Sequence, residues 1–92
     1  MARVELSAAA VEDIERLIRP HSLPAETRQR LKHTLLPLQR FPLFGVLLEG
    51  RWSGYRFVLG PWRWMIVVYA YIEEDRVVIV TVQDGRSSRF AS

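Results

Sequence analysis

The chain has 92 residues, no cysteine, 49% hydrophobic and 25% charged residues, and a formal net charge of +3. Those figures describe one domain with a single modest core, spanning residues 1–92, and exclude a two-domain or disordered chain. The missing cysteines exclude a disulfide framework, thiol catalysis and thiolate metal sites.

Of the 13 basic residues only Lys32 is a lysine. Arginine offers a planar fork for phosphate or carboxylate, although arginine-favouring codons produce the same bias. The excess is local: residues 21–60 carry six basic side chains against Glu26 and Glu49. The longest apolar run, Trp64 to Ile72, is too short to cross a bilayer as a helix. The N-terminal residues have no signal-like apolar stretch. A soluble cytoplasmic protein without membrane contact is expected.

In chain order, Ala2 to Leu6 alternates apolar Val4 and Leu6 with charged neighbours, the pattern of a short strand with one buried face. Ser7 is a helix cap. Val11, Ile14, Leu17 and Ile18 form the apolar stripe of the helix that follows. Pro20 ends it. After a short turn, Pro24 suits the first turn of a second helix, striped by Leu31, Leu35 and Leu38. Pro37 predicts a kink or an early end near His33–Leu36.

Then the period changes. Phe41 to Leu48 reads as an apolar connector that covers the sheet edge or is itself covered by a partner. Trp52 to Leu59 reads as a strand, and Gly60-Pro61 as a tight turn. Arg63 to Ile72 is apolar on both parities, the mark of a central strand. A charged loop over residues 73–76 leads to a last strand, Val77 to Val82, and a basic tail from Arg86. The order β-α-α-β-β-β describes an α+β domain: a four-stranded, mainly antiparallel sheet with a helix hairpin on one face.

Several local phrases in this order resemble the RelE/ParE family of type II toxin–antitoxin toxins. Leu35-Leu36-Pro37-Leu38 followed by Phe41-Pro42-Leu43-Phe44-Gly45 resembles the family's exit from its second helix. Gly54-Tyr55-Arg56-Phe57-Val58 resembles its second strand, and Ile66-Val67-Val68-Tyr69 its third, closing on tyrosine. Val78 to Val82 with Asp84-Gly85-Arg86 resembles the last strand and its basic exit. The resemblance implies a growth-arresting toxin silenced by a cognate antitoxin in a hetero-oligomer.

The family divides by target. RelE-like members cut mRNA at the ribosome, whereas ParE-like members act on DNA gyrase. Cleavage through the ribose 2′-hydroxyl needs a base, an acid and cations. In the cutting branch an arginine three residues before the third-strand tyrosine is typical; Ile66 stands there, Val58 follows Arg56 by two, and the tail offers Phe90, which has no hydroxyl. His21 and His33 are the only imidazoles, remote in sequence from the strand arginines and without an evident carboxylate partner.

The ParE-like reading with gyrase as target therefore leads. A RelE-like ribonuclease and a non-toxic binding module that keeps the fold are the alternatives. The expected contact residues for target or nucleic acid are Arg51, Arg56, Arg63, Arg86 and Arg89. Those for a partner are Trp62, an exposed aromatic in a turn, and Phe90. A solvated sheet face, with these arginines paired to Glu73, Glu74, Asp75 or Asp84, is the plain alternative. No catalytic residue, cofactor or metal site is expected.

Overall fold

A computed structural model of the chain describes residues 1–73 and 75–86. Its elements are β1 (Arg3–Leu6), α1 (Ala8–Ile18), α2 (Thr27–Leu35), α3 (Pro37–Arg40), β2 (Val46–Leu47), β3 (Arg56–Leu59), β4 (Met65–Tyr71) and β5 (Arg76–Asp84), with a 3-10 turn at Gly50–Trp52. The sheet has five strands in the order β1-β5-β4-β3-β2. β1 runs parallel to β5 and every other pairing is antiparallel. The α+β class and the helix hairpin are as expected. The strand count is not, because part of the connector is itself a strand.

Ser7 explains how the chain leaves β1. Its N–H extends the ladder to Ile79 O (3.0 Å), its hydroxyl donates to Val80 O (3.0 Å), and the same oxygen accepts from Ala10 N (3.0 Å). One residue thus ends a strand, caps a helix and ties that helix to β5. Asp13 adds a second tie, accepting from the Thr81 hydroxyl and from Val82 N (3.2 Å). The stripe of α1 is rotated from the sequence reading. Ala10 and Ile14 are buried and Leu17 and Ile18 half-buried, whereas Val11 is exposed. Leu6 is exposed as well, so β1 buries only half of what its alternation suggests.

Pro37 acts as predicted. α2 stops at Leu35 and α3 restarts with Pro37 in its first turn, where a missing N–H costs nothing. Leu31, Leu35 and Leu38 continue one buried face across this break. They meet Met65, Val67 and Tyr69 of β4 and Val77, Ile79 and Val82 of β5 in one core. Ile66 and Val68, alternating with the β4 core residues, are buried too. That accounts for the apolar residues at both parities.

The connector from Phe41 to Leu48 is held from beneath by Tyr69, which is fully buried. Its hydroxyl donates to Pro42 O (2.7 Å) and accepts from Gly45 N (2.9 Å). Burial pushes the phenol above its ordinary pKa, against the opposing pull of the Gly45 N–H and the Arg56 charge. Arg56 Nη1 grips the same segment at Gly45 O (3.0 Å) and Leu43 O (3.3 Å). So fixed, Val46 and Leu47 pair with Phe57 and Arg56 as a short edge strand. Gly45 has to be glycine, since a Cβ there would lie 2.7 Å from Phe57 O and from the Tyr69 ring and hydroxyl.

Tyr69→Phe removes both hydroxyl bonds and leaves Pro42 O and Gly45 N short of a partner. It is expected to cost about 1–3 kcal/mol, read as a fall in Tm of roughly 4–8 °C per kcal/mol for a domain of this size. Gly45→Ala, which forces backbone or ring to shift, should cost at least as much in the same thermal melt.

Candidate active site at the β4–β5 end of the sheet

The register of the β4–β5 hairpin opposes Met65 and Asp84, so the residues just outside that pair meet at one end of the sheet. Gly85 N donates to Trp64 O (2.6 Å), carrying the pairing one step past the strands. A Cβ on Gly85 would come within 2.9 Å of Ile66 and 3.2 Å of Trp64 O. Glycine is what lets the β5 exit run this close and bring Arg86 back over Trp64. The Arg86 guanidinium carbon lies 4.7 Å from the Trp64 ring centroid.

Arg86 is also folded onto Asp84. Its Nε and backbone N reach Oδ1 at 3.0 and 2.9 Å, and Nη2 reaches Oδ2 at 2.9 Å. The side-chain hydrogen bond from Arg86 is the main reason the Asp84 carboxyl sits below its ordinary pKa. The Arg86 backbone N–H, its charge and the nearby His21 act in the same direction, while partial burial opposes them. The same bond raises the Arg86 pKa further above neutrality.

The α1–α2 turn brings the third member. Ser22 N donates to Arg19 O (3.2 Å) and Leu23 N to Ile18 O (3.1 Å), with Ser22 in the left-handed region at φ 48°. This closed turn holds His21 over the sheet end. The imidazole lies 4.6 Å from the Trp64 ring, tilted by 37°. Its Nε2 is 3.5 Å from Asp84 Oδ2, with the two side chains 30% and 21% exposed. Sequence reading finds no carboxylate partner for His21; the fold supplies one. His33 is exposed on the last turn of α2.

The residues expected to contact a target are divided by the fold. Arg63 is exposed in the β3–β4 turn, at the same end as Arg86 and His21. Arg56 pairs with Tyr69, four residues further along β4, roughly 13 Å along the strand. Its guanidinium is half-buried and engaged with the connector. Arg51 lies in the 3-10 turn beyond that end of β3, 5.8 Å from the ring of Trp52. Trp62 is half-buried against the core with Arg30 at 5.7 Å, rather than standing free in its turn. Arg89 and Phe90 lie outside the described residues.

His21, Trp64 and Asp84 are three residues that the sequence does not single out together, since no spacing links positions 21, 64 and 84. Counting outward from the Tyr71–Val77 pair would set Met65 opposite Gln83; the irregularity between Val68 and Tyr69 moves the partner to Asp84, so even that half of the cluster has no direct signal in the sequence. Among the described residues no group of three or more His, Asp or Glu side chains is arranged to hold a metal ion. None of the helices formed by them is long and apolar enough to cross a membrane.

No family model and no curated protein matches the chain. Solved structures do. A copper-bound mutant toxin from Helicobacter pylori superposes with a TM-score of 0.67 at 18% identity, over 91% of this chain and 94% of that one. YafQ from E. coli gives 0.64 at 20% identity, over 98% and 99%. The E. coli DinJ–YafQ toxin–antitoxin complex gives 0.57 at 19% identity, over 90% and 91%. At such identities the shared property is the fold, and it is the RelE/ParE-like fold expected from the sequence.

The depressed Asp84 pKa sets a direction for acid sensitivity. A carboxylate whose pKa is lower in the folded state stabilises the fold above its unfolded pKa, about 3.9, and loses that contribution as pH falls through the folded value. Asp84→Asn should therefore lower Tm by a few degrees at pH 7. The gap between the two melting curves should narrow as the pH is taken down through and below the ordinary carboxylate range.

Proposed function

We propose that this chain is the toxin of a type II toxin–antitoxin pair and that it acts on RNA, in the RelE-like manner, through the sheet end formed by Arg63, Trp64 and Arg86. The observation that carries this reading is the stack of the Arg86 guanidinium on Trp64, with exposed Arg63 beside it. Aromatic faces next to arginines suit single-stranded RNA, whose bases stack while its phosphates pair with the cations. Likeness in fold to YafQ and to the H. pylori toxin supports the toxin class.

The gyrase-directed reading rests on the absence of cleavage chemistry along β3, β4 and the tail. It finds no support in these structural neighbours, and its premise leaves out an imidazole delivered by the helix turn. Induction of the chain alone in a bacterial host should arrest growth and yield new mRNA 5′ ends in primer extension. Arg63→Glu with Arg86→Glu should abolish both. Growth arrest with intact mRNA and an induced DNA-damage response would favour gyrase instead.

A cognate antitoxin is the expected partner, as DinJ is for YafQ in their toxin–antitoxin complex. The surface best suited to it is the β2 edge. Val46 and Leu47 are 60% and 56% exposed on a strand with no further neighbour among the described residues, next to Phe44 at 67%. An extended peptide segment can add to such an edge through backbone hydrogen bonds and apolar pockets. Phe44→Glu with Leu47→Glu should leave Tm nearly unchanged, while co-purification with the product of the adjacent short reading frame falls at least about tenfold, the loss of about 1.4 kcal/mol of binding.

A further inference from the structure

We propose that His21 and Asp84 form an acid–base dyad, in which His21 takes the 2′-hydroxyl proton of a bound RNA strand and Asp84 positions the imidazole. The inference rests on the RNA-directed reading above and deepens it by naming the group that moves the proton.

The geometry has the parts such a base requires. His21 is the one imidazole among the described residues with a carboxylate within 4 Å. Its ring is set by contact with Trp64, in the turn just before β4, and by a hydrogen-bonded turn behind it. Asp84 Oδ2 is the carboxylate oxygen close to Nε2, and once the contact tightens on a bound strand it favours the neutral tautomer with the proton on Nε2, which leaves the Nδ1 lone pair as acceptor. The 3.5 Å separation is long for a hydrogen bond, as catalytic contacts without substrate often are. Asp84 is kept ionised by the Arg86 fork. That fork uses Nε and Nη2, so Nη1 has no partner among the described residues and can donate to a phosphate oxygen. Asp84, the last residue of β5, is the charged group placed against His21 among the described residues, and Arg86 pairs with that carboxylate.

The reaction balances with water alone. His21 Nδ1 accepts the 2′-hydroxyl proton, and the 2′-oxygen forms a bond to the adjacent phosphorus. The bond from phosphorus to the 5′-oxygen breaks, and that oxygen takes a proton from water. The products are a 2′,3′-cyclic phosphate and a 5′-hydroxyl end. His21 returns its proton to solvent. Nothing is oxidised or reduced. Arg86 offsets the charge that builds on the phosphoryl oxygens.

The test uses the purified full chain with ribosomes carrying a defined mRNA, reading cut ends and their terminal phosphate across pH 5 to 9. The wild type should cut and leave a cyclic phosphate. His21→Gln should cut about 10²–10⁴-fold more slowly, the usual contribution of a positioned base. His21→Ala should regain part of the rate when free imidazole is added. Asp84→Asn should slow cutting at every pH, because the imidazole loses the carboxylate that positions it, and Asp84→Glu should regain part of the rate. A role in folding alone would lower the rate in step with Tm, with no recovery of the His21→Ala rate by imidazole.

Full cutting by His21→Gln beside a cutting wild type would overturn the dyad and leave the RNA-directed reading intact. Should His21→Gln and His21→Ala fail to fold, Asp84→Asn decides, and an undiminished cutting rate overturns the proposal. A wild type that arrests growth without cutting RNA would overturn both readings.

Discussion

The pairing of β4 with β5 is the constraint on which the rest of the molecule depends. These two strands supply six of the buried side chains against which the helices pack. The same register sets Met65 opposite Asp84 and so fixes what lies just beyond them. A shift of one residue would turn the core face of β5 outward, and would also separate Trp64 from Gly85 and Arg86. Core and candidate site are therefore specified by one set of backbone hydrogen bonds. The irregularity between Val68 and Tyr69 falls immediately before the tyrosine that holds the connector. The pairing is interrupted there, away from the end that carries the histidine.

Most of the architecture can be read from the chain because it depends on local patterns. Ser7 as a cap, Pro37 as a break, the leucine stripe over Leu31, Leu35 and Leu38, and a doubly apolar β4 are all statements about neighbours in sequence. What cannot be read depends on partners that are distant in sequence. β2 is two residues long, shorter than any periodicity can show. It exists because Tyr69 and Arg56 hold the preceding segment in position. Spacing alone assigns Val11 to the core beside Ile14, yet the ties from Ser7 and Asp13 to β5 turn α1 so that Ala10 faces inward with Ile14 and Val11 does not.

The candidate site is opaque for the same reason. Its members come from the helix turn, from the start of β4 and from the end of β5, and each has an ordinary local explanation. Trp64 reads as core, Asp84 as a strand terminator and His21 as a turn residue between prolines. Only the joint consequence of the helix hairpin lying on the sheet and of the β4–β5 register brings both Trp64 and Asp84 within about 5 Å of His21. A search for acid–base groups along β3 and in the tail does not reach this cluster, because chain order does not state which turn overhangs which strand end.

Net charge is the other place where a whole-chain number misleads. The +3 excess suggests a basic surface, and the densest run of basic residues lies between positions 21 and 60. Much of that run is engaged within the fold. Arg28 pairs with Glu15 across the helix hairpin, Arg30 covers Trp62 and pairs with Glu26, and Arg56 is committed to two connector carbonyls. Exposed ion pairs of this kind exchange readily with solvent and add little stability, but the half-buried Arg56 is fixed in place by its carbonyl partners. The last third of the chain, formally neutral, is where Arg63 stands exposed and Arg86 keeps Nη1 available over an aromatic ring. Field at a binding surface follows from the few charges that have somewhere to point, and here they lie where the residue count is balanced.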